Sequence, residues 1–362
     1  MARRCASSEA NGKEPPPRRS DRFLEGLRDA RSVTFVSHVH PDPDSLGSML
    51  GLAHLVECCL NKPTRLIRDG VISRAENRAM VELLDIDLCP IEDYTWKPGD
   101  AVVMVDSQPN TGRHNFACKV PLYGVIDHHD TPGDIANVPF VDVRQTVGAT
   151  CSLVTSYLTE QAVAIPKRLA TGLLYAIETE LAGYPREASK MDEIALQQLY
   201  PLADKDLLAS IRHARLPQSY FGCLVQALQS SFIYDRLIVS WINELPQPEL
   251  SAEVADFLMR FEEVDWVVAA GVHEDKLILS MRSSAPDAQA GDILRKVVGN
   301  LGKAGGHDRR AGGTVILQST AQSHVEEIRA EIRRRLLKAL GIEECRGQRL
   351  VSRKEMLQNL HA

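Results

Sequence analysis

Val33-Thr34-Phe35-Val36-Ser37-His38-Val39-His40-Pro41-Asp42-Pro43-Asp44-Ser45-Leu46-Gly47-Ser48 is the stretch from which the fold can be read. The apolar run Val33 to Val36 has the composition of a short buried strand. From Ser45 to Leu60, Leu46, Met49, Leu50, Ala53, Val56 and Leu60 recur at helical spacing and predict a helix packed on that strand's sheet. Between strand and helix, two imidazoles and two carboxylates crowd one turn. Pro41 and Pro43 fix the backbone on either side of Asp42, which aims alternate side chains at a common point. In an open parallel sheet, ligands bind beyond the carboxyl ends of the strands, so this turn lies where a site belongs.

Working outward, further apolar runs at Arg65 to Ile67, Ala101 to Val105 and Leu122 to Ile126 predict a parallel α/β sheet. Helical patterns at Val147 to Leu158 and Arg168 to Ile177 follow, and Pro185 breaks the second. The expected organisation is an arm without fixed structure (1–20), an α/β domain (21–186), a polar helical linker (187–217) ending at Pro217, a smaller α+β domain (218–341) and a tail (342–362) that is either one more helix or loose. In the second domain, Arg236 to Asn243, Trp266 to Val272 and Lys276 to Met281 read as strands, with a hairpin turn at His273, Glu274 and Asp275. Ser251 to Phe261 reads as amphipathic. Ser323 and Glu326 read as a capping box opening a last helix that Gly341 stops.

Composition excludes several classes. Of the 362 residues, 44% are hydrophobic and 25% charged, which is ordinary globular usage. A net charge of -6 supplies no general positive field for a long polyanion, so long duplex nucleic acid is not an expected partner. A small phosphorylated ligand needs only a local cluster and is not excluded. The 8 cysteines form no C-x-x-C pair and read as reduced, mostly buried small hydrophobes. No apolar run is long enough to span a membrane and no secretory leader is legible, so the expected location is cytoplasmic.

The other strand ends repeat the first. The third run ends in Asp106 and Ser107, the fourth in Asp127, His128, His129 and Asp130. Helix capping accounts for one Asp before an apolar run, but not for acid and imidazole delivered by three strand ends to one sheet edge. Aspartate and histidine without thiolate suit a hard to borderline divalent ion, Mn²⁺ first, with Mg²⁺, Co²⁺ and Zn²⁺ as alternatives. The carboxylate count suggests two ions, and Asp106 is the natural shared carboxylate.

His38-x-x-Pro41-Asp42-x-Asp44-x-x-Gly47-Ser48, then Asp106, then Asp127-His128-His129, resemble in sequence and order the first three motifs of the DHH phosphoesterase superfamily. Gly305-Gly306-His307 resembles the glycine-rich motif of the DHH-associated type 1 domain. Within the superfamily the chain looks most like the oligoribonuclease and 3′-phosphoadenosine 5′-phosphate phosphatase branch, compact relatives of the RecJ exonucleases. The resemblance implies that His38, Asp42 and Asp106 bind one metal, and Asp44, Asp106 and His128 the other. It further implies that His129 contacts the scissile phosphate and that Asp127 is either an additional metal ligand or an outer partner that orients the imidazoles. His40 falls where the family varies and reads as a rim residue.

One position departs from the pattern: the family's Thr-Asp-Thr ligand corresponds here to Thr179-Glu180-Leu181. Glu180 keeps the carboxylate but lengthens its reach by roughly 1.5 Å, one carbon–carbon bond. It reads as a ligand to the second metal or as a solvated helix-end acid. In the second domain, Arg282, Ser283, Arg309 and a backbone nest at Gly305 and Gly306 beside His307 are the expected grip on a terminal phosphate, with the active site in the cleft between the domains. The expected activity is hydrolysis of phosphate esters in small nucleotides, linear dinucleotides or very short single-stranded oligonucleotides. A RecJ-like single-strand exonuclease and a nucleotide-binding sensor that lost a metal are the alternatives. Oligomeric state stays open, a homodimer included.

Overall fold

In a computed structural model describing residues 18–112, 114, 121–181, 188–306, 308–343 and 346–351, the run from Val33 forms β1 (Ser32–Val39). The acidic turn leads straight into α2 (Pro43–Leu60), whose N-cap is Asp42 and whose first residue is Pro43. Asn61, in the left-handed region at φ 52°, ends it. The other expected strands form β2 (Thr64–Asp69), β4 (Asp100–Val105) and β5 (Leu122–Asp127). Two short strands the apolar pattern did not mark, β3 (Leu88–Pro90) and β6 (Phe140–Val143), complete the sheet at its edges.

All six strands are parallel, in the order β3-β2-β1-β4-β5-β6. One face packs against α1 (Arg19–Glu25), α2, α4 (Thr150–Glu160) and α5 (Lys167–Glu180) through Phe23, Phe35, Met49, Leu52, Tyr157 and Leu173. Val36, Ile67, Val102, Met104 and Val125 point to the other face, where Tyr94, Trp96, Ile135 and Val138 cover them. Both faces are therefore apolar, and the strands read as continuous hydrophobic runs. Chain order reverses between β1 and β4, so the connections leaving these neighbours diverge and open a crevice at their carboxyl ends.

Residues 187–217 are not a linker. Past α3 (Ala75–Leu83) in chain order come α6 (Lys190–Leu202) and α7 (Lys205–Arg212), which pack on α3, α4 and α5. Leu199 and Ile211 are fully buried in the first unit's core, and the chain divides between Ala214 and Arg215. These helices bury narrow stripes under a polar exterior, which is why they read as linker. Ser189 and Asp192 form a capping box at the start of α6. The expected N-terminal arm is also too long by its last residues, since α1 begins at Arg19 and Ser20 Oγ donates to Glu160 at 2.5 Å. Residues 1–17, Pro185 and His307 lie outside the described residues.

The second unit runs α8 (Gln218–Gln229), β7 (Ser231–Tyr234), β8 (Leu237–Ile242), α9 (Leu250–Leu258), β9 (Trp266–His273), β10 (Lys276–Ser283), α10 (Ala290–Val298), β11 (Gly302–Gly306), β12 (Arg310–Ile316), α11 (Gln322–Leu340) and β13 (Gln348–Arg349). Its mixed sheet has the order β11-β12-β10-β9-β8-β7-β13, with β8 and β9 parallel. The β9–β10 hairpin forms as expected, turning at Glu274 with φ 53°. Helix α11 starts one residue before Ser323, its N-cap is Ala321, and the Ser323–Glu326 capping box does not form. Gly341 does end it, at φ 68°. Past it, among the described residues, Gln348–Arg349 add an edge strand on β7, while residues 352–362 of the expected tail lie outside the described residues. Cys58 and Cys59 are exposed, contrary to the expectation of burial, while Cys151 and Cys223 are buried thiols. Among the described residues, no helix is long and apolar enough to cross a membrane.

Because α6 is part of the core, Leu199→Ala should lower the unfolding free energy of the first unit by about 2–5 kcal/mol, read by urea denaturation. A linker residue would change it by less than about 0.5 kcal/mol.

Candidate metal centre

The site is assembled where β1, β4 and β5 end. Asp106 follows β4 in the left-handed region at φ 55°, unusual for a side chain bearing a Cβ, and its N–H donates to Ile126 O at 2.9 Å. Its carboxylate is 1% exposed. Oδ2 accepts from Ser45 Oγ at 2.7 Å and lies 3.5 Å from His38 Nε2. Oδ1 accepts from Thr150 Oγ1 at 3.0 Å and lies 3.6 Å from His128 Nε2.

The imidazoles are fixed from behind. His38 Nδ1 is 2.9 Å from Val39 O and His128 Nδ1 is 3.3 Å from Val147 O. A carbonyl oxygen only accepts, so each Nδ1 donates and each Nε2 is the ring atom turned to the carboxylates. His38 Nε2 is 3.5 Å from Asp42 Oδ2. His128 Nε2 is 3.8 Å from Asp44 Oδ2 and is buried without a hydrogen-bond partner. A buried ring nitrogen aimed at two carboxylates is costly unless a proton or a cation joins them.

Asp42 performs two tasks at once: Oδ1 caps α2 by accepting Ser45 N–H at 3.0 Å, and Oδ2 faces His38. Asp44 is held differently. Its oxygens accept the N–H groups of Thr150 at 2.7 Å and Cys151 at 2.8 Å, the first amides of α4, where the helix dipole favours a negative charge. Helices α2 and α4 must approach closely for this. A Cβ on Gly47 would sit 2.7 Å from Cys151 Sγ and 3.1 Å from Ala176 Cβ, so glycine here is a packing requirement.

Beside this lies a second layer. His129 Nδ1 donates to Asp127 Oδ1 at 2.8 Å, and Gln108 Nε2 donates to Asp127 Oδ2 at 2.8 Å. Gln108 Oε1 in turn accepts Gly133 N–H at 3.0 Å. Burial works against the Asp127 charge, but the bonds from His129 and Gln108 outweigh it and hold the carboxyl below its usual range.

Electrostatics point the same way. Burial, then the Asp106 carboxylate, push the Asp44 carboxyl well above its usual range. Burial opposes a charge on His128, yet Asp106, Asp44, Glu180 and Asp127 outweigh it and hold the imidazole up to about 9. Beside burial, which raises Asp44 and opposes His128, both shifts carry the field of the clustered carboxylates, the field a divalent cation would occupy.

Two sets of ligand atoms lie within 4.8 Å of one another, His38 with Asp42 and Asp106, and Asp106 with His128 and His129. They fit metal binding, since ligands about 2.0–2.2 Å from an ion stand about 3–3.5 Å apart. In the second set His129 Nδ1 is committed to Asp127, so Asp44 is the better third ligand beside His128. Glu180, the last residue of α5, belongs to neither set, but its charge acts on both Asp44 and His128. His40 is a rim residue, with Nδ1 3.0 Å from Val71 O.

Residues 32–177 match the model of the DHH family, N-terminal domain, and residues 234–338 that of the DHHA1 domain. The chain carries a DHH domain followed by a DHHA1 domain. Among curated relatives of this DHH protein, an uncharacterized protein of Methanocaldococcus jannaschii is 28% identical over 319 residues, 86% of this chain and 65% of its own length. A probable manganese-dependent inorganic pyrophosphatase of Streptococcus agalactiae is 25% identical over 143 residues, 39% of this chain and 45% of its own. The chain thus spans less than two thirds of the length of either relative. Among solved structures, an exopolyphosphatase-related protein from Bacteroides fragilis shares the fold, with a TM-score of 0.65 at 16% identity over 89% of this chain and 97% of that one.

The DHHA1 residues expected to grip a phosphate look different once folded. Gly305 and Gly306 do not form a turn-like nest but lie in β11, opposite Gly312 and Ala311 of β12. Arg282 is ion-paired to Asp256, and Ser283 Oγ donates to Asp265 O at 3.0 Å. Arg309 donates to Ser284 O at 3.3 Å and Pro286 O at 3.4 Å. Conversely, the DHH centre uses Ser45, Gln108, Thr150 and Cys151, which the motifs did not single out as partners. Ser45, next to Asp44, and Gln108, two residues past Asp106, carried a positional hint; Thr150 and Cys151 did not.

Gly47→Ala should force α2 from α4, lower the midpoint of thermal unfolding by several degrees for about 1–3 kcal/mol of strain, and weaken Mn²⁺ binding measured by calorimetry.

Proposed function

We propose that this DHH protein is a metal-dependent phosphoesterase that hydrolyses small phosphorylated nucleotides: 3′-phosphoadenosine 5′-phosphate, linear dinucleotides and single-stranded oligonucleotides of a few units. The observation that carries the reading is the Asp106 carboxylate, which offers one oxygen to His38 and the other to His128. A carboxylate shared in this way supports a pair of divalent ions, Mn²⁺ by the donor set and by the name of the Streptococcus relative. His38, Asp42 and Asp106 would hold one ion, and Asp44, Asp106 and His128 the other, with Glu180 as a further carboxylate. Ions held there supply acidified water and neutralise phosphoryl charge during in-line attack.

The chain's own residues set the rest. Asp127, itself held by Gln108, accepts the His129 Nδ1–H and leaves Nε2 as the remaining ring atom, which reaches a phosphoryl oxygen as a donor when it too carries a proton. Asp44, held by the α4 amides, stays in place without a cation nearby. Arg282, Ser283, Arg309 and the Gly305–Gly306 edge remain the proposed contacts for the far end of the substrate. Net charge supports a small substrate, because no general positive field is available for a long strand. The similarity to pyrophosphatases favours a second reading, cleavage of a phosphoanhydride, in which the same centre acts on pyrophosphate.

Purified full chain with Mn²⁺ is expected to bind about two ions and to hydrolyse 3′-phosphoadenosine 5′-phosphate, pGpG and short oligonucleotides, but long single strands poorly. Asp106→Ala should lower turnover about a thousandfold or more. Intact nucleotide substrates with brisk pyrophosphate cleavage would transfer the assignment to the second reading, and no turnover by either route would remove both. Gln108→Ala should reduce kcat about 10- to 100-fold while metal content, read by atomic emission, stays unchanged.

A further inference from the structure

The second unit holds a cavity that the metal chemistry does not use. It has a volume of about 410 Å³ and lies where α8 ends, beside β7, β8 and β13, with α11 forming one wall. In the sheet order this is the end opposite β11, so it is separate from the glycine edge discussed above.

Strand register builds its floor. Phe232 pairs with Val239 and Arg349 with Phe232, so these three share a face, and Trp241, two residues beyond Val239, shares it as well. Each aromatic ring carries a guanidinium: Arg349 lies 4.8 Å from the Phe232 centroid and Arg329 lies 5.7 Å from that of Trp241. Arg329 is 7% exposed, a rare position for arginine. It donates to Ile242 O at 2.8 Å, to Glu326 Oε1 at 2.8 Å and to Asn243 Oδ1 at 3.4 Å, while its Nε is buried with no hydrogen-bond partner. A core that needed only shape would not bury an incompletely matched guanidinium.

The charges do not cancel. Glu326 neutralises Arg329, whereas Arg349, which donates to Gln229 O at 2.9 Å, has no acidic partner among the described residues. The cavity therefore favours a ligand of net negative charge. Its size exceeds what a bare phosphate fills and lies within the range of small-molecule sites. The side-chain amides of Gln226, Gln229 and Asn243 line it, each pairing a donor with an acceptor. Asn243 accepts a hydrogen bond from Arg329 at its oxygen and carries an NH₂ as a further donor. Such amide edges match the hydrogen-bonding edge of a nucleobase, guanidinium planes offer it a stacking surface, and a fork of arginine nitrogens suits a phosphate.

We infer that this cavity is a second nucleotide site, one that takes a nucleoside monophosphate with its base against the arginine-backed aromatic floor and its phosphate at Arg349. It does not depend on the proposed hydrolysis, since none of its residues belongs to the metal centre.

The test is calorimetric titration of the EDTA-treated full chain with AMP, adenosine and inorganic phosphate, together with tryptophan fluorescence. AMP is expected to bind more tightly than either fragment and to quench fluorescence in the wild type but not in Trp241→Phe. Arg349→Ala and Asn243→Ala, both at the periphery of the core, should each weaken AMP about tenfold or more with unaltered thermal unfolding, and Asp106→Ala should bind AMP like the wild type. Arg329→Lys keeps the charge, loses the fork and should also weaken AMP. If AMP binds no better than phosphate or adenosine, if Arg349→Ala retains full affinity, or if Asp106→Ala abolishes binding, the inference is overturned.

Discussion

The first unit is organised around one buried carboxylate on which the ends of three strands converge. Asp106 is almost fully buried, accepts hydroxyl bonds from Ser45 and Thr150, and still faces two imidazole nitrogens whose protons are held on their far sides. Burying an ionised carboxylate costs several kcal/mol unless charge or hydrogen bonds compensate. Here the compensation comes from three strand ends and the start of a helix, brought within a few ångströms by the reversal of strand order between β1 and β4.

That arrangement makes packing and chemistry inseparable. Gly47 matters because Asp44 must reach the α4 amides, and Asp42 is at once the cap of α2 and a carboxylate facing His38. A helix N-terminus and a cation attract the same carboxylate by the same electrostatics, so the two uses reinforce each other. The capping explanation and the metal explanation, which looked like rivals in the sequence, describe different oxygens of one side chain at Asp42.

The second unit shows the opposite economy. Arginines that resemble ligand-gripping groups in the sequence are partly committed to structure: Arg282 to Asp256 and Arg309 to backbone carbonyls. Arginine stays charged, so a buried or half-buried one must find acceptors wherever the chain supplies them. Which arginine still has binding capacity left is a question about neighbours distant in sequence.

Periodicity and motif order by themselves determined the parallel α/β core, the strand ends that carry the acid and imidazole groups, and the family to which they belong. These features depend on local spacing, and local spacing survives in one dimension. Only the tertiary structure decided that α6 and α7 belong to the first core, that Gly305 and Gly306 lie in a strand, that the tail adds β13, and that Gln108 and the α4 amides hold Asp127 and Asp44. The reason is physical: burial and hydrogen-bond partnership are set by residues far apart in the chain, 107 positions from Asp44 to Cys151, and no local window contains both.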